Sequence, residues 1–168
     1  MKTIHSNQQA DAEKVIEKCK VCFIGLADTD GMPYVLPMNF GYRPGFVYLH
    51  SGPEGTHLDV LSRNNQICIT FSRGEDLVYQ HEEVACSYSM RSECAICRGR
   101  VEYVEDIEEK TEIMNIMMAN YSKREFTYSL PAISNVKVWR VPVDSYSMKT
   151  LGLTHKEYLS KTIEKKQD

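Results

Sequence analysis

Pro37-Met38-Asn39-Phe40-Gly41-Tyr42-Arg43-Pro44-Gly45-Phe46-Val47-Tyr48-Leu49-His50-Ser51-Gly52-Pro53-Glu54-Gly55-Thr56-His57-Leu58 packs a strand end, a turn, a second strand and a helix start into one stretch. Alternation predicts a strand over residues 32–42, with Tyr34, Leu36, Met38, Phe40 and Tyr42 on the apolar face. Pro33, Pro37 and Asn39 fall on the other face. Arg43-Pro44-Gly45 reverses the chain, and residues 46–50 return as a strand. Ser51 and Glu54 have capping-box spacing, and Pro53 suits a first helical turn. The predicted helix runs to about Arg63, with Leu58 and Leu61 on one face, and Asn64-Asn65 ends it.

The flanking sequence extends this pattern. Residues 8–18 read as an amphipathic helix carrying Ala12, Val15 and Ile16. Residues 21–27 read as a strand, followed by the turn signal Asp28-Thr29-Asp30-Gly31. Ile67, Ile69 and Phe71 mark a strand over residues 66–71. The polar stretch 72–83 reads as a loop, and 84–88 and 94–104 as strands. Asp106 and Glu109 have capping-box spacing ahead of Ile113, Ile116 and Met117. Residues 120–134 give no clear pattern. A strand is expected over 136–141, continuing toward Met148. Thr154 and Glu157 cap a last short helix over 154–163, and the tail 164–168 is expected to fray. Strands do not alternate with long helices, which argues against a doubly wound parallel sheet. The expected class is mainly β: an antiparallel barrel, closed or split, with peripheral helices.

A chain of 168 residues fits a single domain over 1–168. A net charge of −3 gives no general attraction to nucleic acid or to a membrane surface. No stretch approaches the ~20 apolar residues of a membrane span, and the first residues lack a signal-peptide core. A cytoplasmic protein is expected. Its six cysteines are then expected as thiols. Cys19 and Cys22, and Cys94 and Cys97, have Cys-x-x-Cys spacing. On a strand, residues three apart point to opposite faces, so no metal site is expected at Cys94 and Cys97. Neither pair carries the Gly or Pro turn of a zinc knuckle. Met114, Met117 and Met118 read as a core-filling or dimer-facing stripe.

Chemistry concentrates where the chain passes from residue 50 into the helix. A helix N-terminus offers unpaired N–H groups and partial positive charge. Ser51 and Thr56 add hydroxyls, and His50 and His57 add ring donors, a set suited to phosphate. The plain alternative is that Ser51 only caps the helix and both histidines are solvated. Pro37 cannot donate to a ladder, so its strand is an edge, a bulge or a ligand-facing stretch in which Asn39 could bond a flat ring. There is no evident acid–base dyad, so catalytic residues stay unassigned.

Pro37-Met38-Asn39-Phe40-Gly41-Tyr42, Val47-Tyr48-Leu49-His50-Ser51 and Glu54-Gly55-Thr56-His57-Leu58-Asp59 with Asn64 resemble, in order and spacing, the pyridoxamine-phosphate-oxidase-like FMN-binding split barrels. Cys94-Ala95-Ile96 with Gly99, Val104-Glu105-Asp106 and residues 135–141 with Trp139 agree, and the nitroimidazole-resistance-related branch is the most similar. The resemblance implies a six-stranded antiparallel split barrel that forms a homodimer with FMN at the interface. It implies that Pro37, Met38, Asn39 and Phe40 lie along the isoalloxazine, with His50, Ser51, Thr56 and His57, and the adjoining Leu58, near the phosphate. Trp139 would meet the flavin of the partner subunit. His50 would be a ligand or redox contact in the reactive pocket. The implied activity is FMN-dependent reduction of a small, nitroaromatic molecule. The alternative is a flavin or haem binder without catalysis, where His50, His57, His81 or Cys86 would ligate iron. His57 stands where lysine or arginine is common, and Cys94 where serine is common. The arginine and histidine motif that binds pyridoxal phosphate in the true oxidases has no match, so that reaction is not assigned.

Overall fold

One strand runs through both halves of the molecule and sets its architecture. In the computed structural model, which describes residues 1–164, the last strand spans Lys137–Leu153. At about 3.3 Å per residue it reaches about 55 Å, too long for one small sheet. Its side chains explain the extended state: Val138, Trp139, Val141, Val143 and Tyr146 are β-branched or aromatic.

In chain order the elements are β1 Lys2–Ser6, α1 Gln9–Ile16, β2 Cys22–Ala27, β3 Pro33–Met38, β4 Gly41–Arg43, β5 Phe46–Ser51 and α2 Thr56–Arg63. Then follow β6 Gln66–Val78, β7 Ser89–Arg100, β8 Glu102–Val104, α3 Ile107–Ala119, α4 Leu130–Asn135, β9 Lys137–Leu153 and α5 His155–Glu164. The strands follow the order β3-β2-β6-β7-β9-β5-β4, with β1 and β8 also paired to β9. Every pairing is antiparallel. Residues 137–142 of β9 pair with β5, and residues 143–151 pair with β7. This is the expected mainly β split barrel, with nine strands in place of six.

The switch between partners occurs at Pro142, which has no N–H to offer. Val143 N–H instead donates to Gly45 O at 2.9 Å. Opposite, β7 slips register between Arg98 and Gly99. A Cβ on Gly99 would lie 2.1 Å from Pro142 O, so no side chain fits there.

The barrel interior holds Ala12, Val15 and Ile16 of α1, Ile24, Ile69, Phe71, Leu49 and Trp139. Phe40 and Phe71 meet edge to face at 4.8 Å. A smaller cluster of Tyr48, Val104, Ile113, Met117 and Val138 fixes α3 on the other side of the β5–β9 ladder. Met117 is thus core, as the methionine stripe suggested. Lys110 of α3 is buried and donates to Val136 O at 3.0 Å. Two capping expectations hold: Asp106 accepts from Glu109 N–H at 2.8 Å, and Thr154 and Glu157 bond reciprocally.

Several expectations are corrected. The strand over 32–42 is broken at Asn39 and Phe40, where Phe40 turns into the core and Phe40 N–H donates to Tyr121 Oη. Helix 8–18 is shorter, Gln9–Ile16. The loop over 72–83 is largely strand, because β7 supplies a partner out to Val78↔Ser89. Residues 84–88 contain a single 3-10 turn, Ala85–Ser87, not a strand. β1 was not anticipated: its polar sequence is extended because the edge of β9 is open to it. The described part of the C-terminal helix, His155–Glu164, matches expectation, and residues 165–168 lie outside the described residues.

Gly99→Ala should cost at least about 2 kcal/mol of stability, because backbone must move to admit the methyl group. Urea unfolding of the variant against wild type measures this; an unchanged midpoint would refute the close approach. Asp106→Ala should cost about 1 kcal/mol in the same assay.

Candidate cofactor site

The stretch that leaves β5 forms a small cradle. Ser51 closes the ladder opposite Lys137. Gly55 then takes φ +141°, a conformation that side chains rarely adopt. A Cβ there would also lie 2.6 Å from Cε1 of His57. Glycine therefore lets the imidazole fold back against the turn. The helix begins at Thr56, later than the predicted capping box requires. Ser51 Oγ donates to Gly52 O at 2.9 Å and caps nothing. The first helical bonds run from Leu58 N–H and Asp59 N–H to Gly55 O. The amides of Thr56 and His57 find no acceptor among the described residues.

Three buried ring nitrogens near this end of the barrel lack a hydrogen-bond partner: His50 Nδ1, His57 Nε2 and Trp139 Nε1. Leaving a buried polar group unbonded costs about 1–3 kcal/mol, so such a group marks a place where a ligand can bond. His57 and Trp139 are in ring contact, 5.5 Å between centroids and tilted by 42°. Trp139 is fully buried and pairs with Leu49. His50 pairs with Val138.

Neighbouring residues on a strand face opposite sides. Leu49 and Trp139 face the barrel interior, whereas Tyr48 and Val138 face α3. His50 therefore leaves the ladder on the α3 side, and His57 meets Trp139 on the interior side. The two histidines do not share a face. The loop 51–55 passes between them.

On its own side His50 lines an open cleft of about 600 Å³, with Ser51, Gly52, Pro53, Ser129, Pro131, Ala132, Asn135 and Val136. Most of that far wall comes from α4 and the residues flanking it, a segment without a readable sequence pattern. None of the lining side chains carries a fixed charge. Lys137 is the fixed cation nearest in register to Ser51, and its ammonium lies 3.6 Å from Glu105. Its signal in the sequence is the two-residue spacing from Trp139, which places both on one strand face.

Burial pushes the pKa of both histidines down; at His57 the Asp59 carboxylate partly offsets this. Both rings are neutral near pH 7. Leu58 is half-buried against the core, and Thr56 is exposed. Pro37 and Asn39 are exposed and Met38 is half-buried. Gly41 pairs with Tyr48, so the corner before it leads toward the His50 end of β5. Phe40 is held by its backbone, its carbonyl accepting from Tyr121 Oη and Asn120 Nδ2.

Cys19, Cys22 and Cys97 are buried, and Cys86 is exposed on the β6–β7 arm. Burial pushes the Cys22 and Cys97 thiols up to about 12, which leaves them un-ionised. No group of three or more potential metal-binding side chains occurs among the described residues. Nor is any described helix long and apolar enough to cross a membrane.

The fold has known relatives. A candidate 5-nitroimidazole antibiotic resistance protein from Bacteroides thetaiotaomicron is 54% identical, with TM-score 0.79 over 88% of this chain and 87% of that one. The flavocytochrome Anf3 of Azotobacter vinelandii shares the fold at 19% identity and TM-score 0.76, over 92% of this chain and 74% of that one. An FAD- and haem-binding protein of Mycobacterium smegmatis does so at 13% and 0.77, over 93% and 79%. No curated protein matches. The pyridoxamine 5'-phosphate oxidase family model matches residues 8–150. The chain belongs to the pyridoxamine 5'-phosphate oxidase family, in the company of a nitroimidazole-resistance relative.

Proposed function

We propose that the protein binds FMN as a homodimer and reduces a small nitroaromatic molecule. The observation that carries this reading is the set of unbonded donors at the start of α2. The free amides of Thr56 and His57, the hydroxyl of Thr56 and the ring of His57 suit a phosphate group, and the Ser51 hydroxyl would join them by turning from Gly52 O. Trp139 Nε1 and the corner Pro37, Met38, Asn39 and Phe40 would serve the ring system. Leu58 packs beneath the cradle. When bound, FMN supplies the electron transfer; the chain supplies position and electrostatics. His50, on the opposite face, is the residue that would meet a substrate in the uncharged cleft against α4. The similarity to a nitroimidazole-resistance relative supports the substrate class. Dimer formation is supported by exposed apolar side chains paired on the β6–β7 arm, Leu77 at 62% and Met90 at 45% exposure. The unbonded His50 Nδ1 also suits a haem iron, which keeps a haem-binding reading open to test.

Titrating the purified protein with FMN should quench flavin fluorescence at one site per chain. A protein that ignores FMN but develops a Soret band with haem would replace this reading with the haem one.

The histidines set a pH signature. Their depressed folded values mean that the unfolded chain binds more protons below about pH 6.5. Stability without ligand is therefore present above that value and lost as pH falls. A phosphate dianion acts oppositely, favouring imidazolium at His57 as the Asp59 carboxylate does, with Lys137 and Glu105 as the other charges nearby in the fold. FMN affinity should rise as pH falls from about 8 toward 6, by up to about tenfold per unit for one proton taken up. Thermal melts should show FMN offsetting the acid loss. His57→Lys should bind FMN more tightly with a flatter pH profile; unchanged affinity would remove His57 from the phosphate site.

A further inference from the structure

The outer face of the barrel carries a second concavity, at the far end of α2. The registers place Val35, Gly25, Cys68, Arg98 and Ser145 in one transverse row over five strands. Gly25 has no side chain, and Cys68 and Ser145 are small, so the row forms the floor of a trench. Its cavity is about 550 Å³ and includes Gln66, Arg98, Gly99, Arg100, Asp144 and Ser145. Asn64, which ends α2, closes one side. The eight residues of α2 separate this trench from the cradle at its start by about 12 Å.

Charge distinguishes this trench from the His50 cleft. Arg98 and Arg100 stand two residues apart on one face of β7, opposite Cys68 and Gln66. Neither guanidinium has an ion pair or hydrogen bond among the described residues, whereas Arg63, Arg73, Arg91 and Arg140 each hold a carboxylate. Asp144 is the acid in the lining. Asn64 is already committed: its Nδ2 donates to Ala27 O and its Oδ1 accepts from Gln66 N–H. The Gln66 side chain is free to bond a ligand. Two unpaired forks and one carboxylate leave a net positive trench. Its volume exceeds that of a phosphate ion and falls in the range of small-molecule sites.

We propose that this trench is a second ligand site, which takes the phosphate end of a sugar or nucleoside phosphate. Arg98 and Arg100 grip phosphate oxygens in the planar, bidentate manner that guanidinium permits. Gln66 adds an amide donor. Asp144 accepts from a ligand hydroxyl, which is why inorganic phosphate alone is the poorer fit. The assignment stands independently of flavin binding at His57.

Calorimetry on the purified protein in its native oligomer tests this with inorganic pyrophosphate and adenosine 5'-diphosphate as probes. Both should bind, the nucleotide more tightly. Arg98→Gln with Arg100→Gln should weaken both at least tenfold while FMN binding and the melting temperature hold; both side chains are exposed, so the core is untouched. Asp144→Asn should strengthen pyrophosphate binding, by removing a like charge, and shrink the advantage of the nucleotide. Failure of either probe to bind wild type, or equal binding to the double arginine variant, overturns the proposal. So does competition between pyrophosphate and FMN, or loss of pyrophosphate binding in His57→Ala, since the anion would then sit at the start of α2. Absence of FMN binding, seen in a separate titration, bears on the flavin reading alone.

Discussion

The change of partner along β9 holds the molecule together. A strand of 17 residues presents far more backbone donors and acceptors than one small sheet can satisfy. The chain meets this demand by giving one part to β5 and β8 and the other to β7 and β1. Pro142 removes the N–H that would otherwise be stranded at the crossing, and Gly99 lets the backbones touch. Helix α3 then closes over the β5–β9 ladder, pinned by buried Lys110 at the carbonyl of Val136 and by Arg140 held between Glu102 and Glu109.

That ladder positions the groups at the His50–His57 end of the barrel. Ser51 and Lys137 face each other because Leu49 and Trp139 do so two residues earlier. The start of α2 is left uncapped, and Gly55 allows His57 to lie back toward Trp139. The donors at the helix start and in the two ring systems are thus products of backbone geometry, not of an isolated motif.

Much of this was legible locally. Alternation marked β3 and the start of β6, β2 and β5 read as strands between turn signals, and the side-chain caps of α3 and α5 were visible as Asp106 with Glu109 and Thr154 with Glu157. What escaped depended on distant partners. The polar run after Phe71 is strand only because β7 lies beside it, and Lys2–Ser6 only because β9 has an open edge. Ser51 has the chemistry of a cap, yet the positive φ of Gly55 delays the helix and leaves that hydroxyl bonded to Gly52 O. At the site, the residues from His50 to His57 stood out in sequence because they are contiguous. The α4 wall beside His50 and Lys137 opposite Ser51 did not, since both come from an ordinary-looking segment some 80 residues away.

The opposite orientations of His50 and His57 have an evolutionary consequence. One ladder carries two candidate surfaces, joined only by its backbone. Mutation in the short helix at residues 130–135 can reshape the room next to His50 without disturbing the amides at Thr56 and His57 on the reverse side. Selection could therefore retune what one surface admits while the other stays fixed, so that descendants of such a chain diversify in what they accept before they change what they carry.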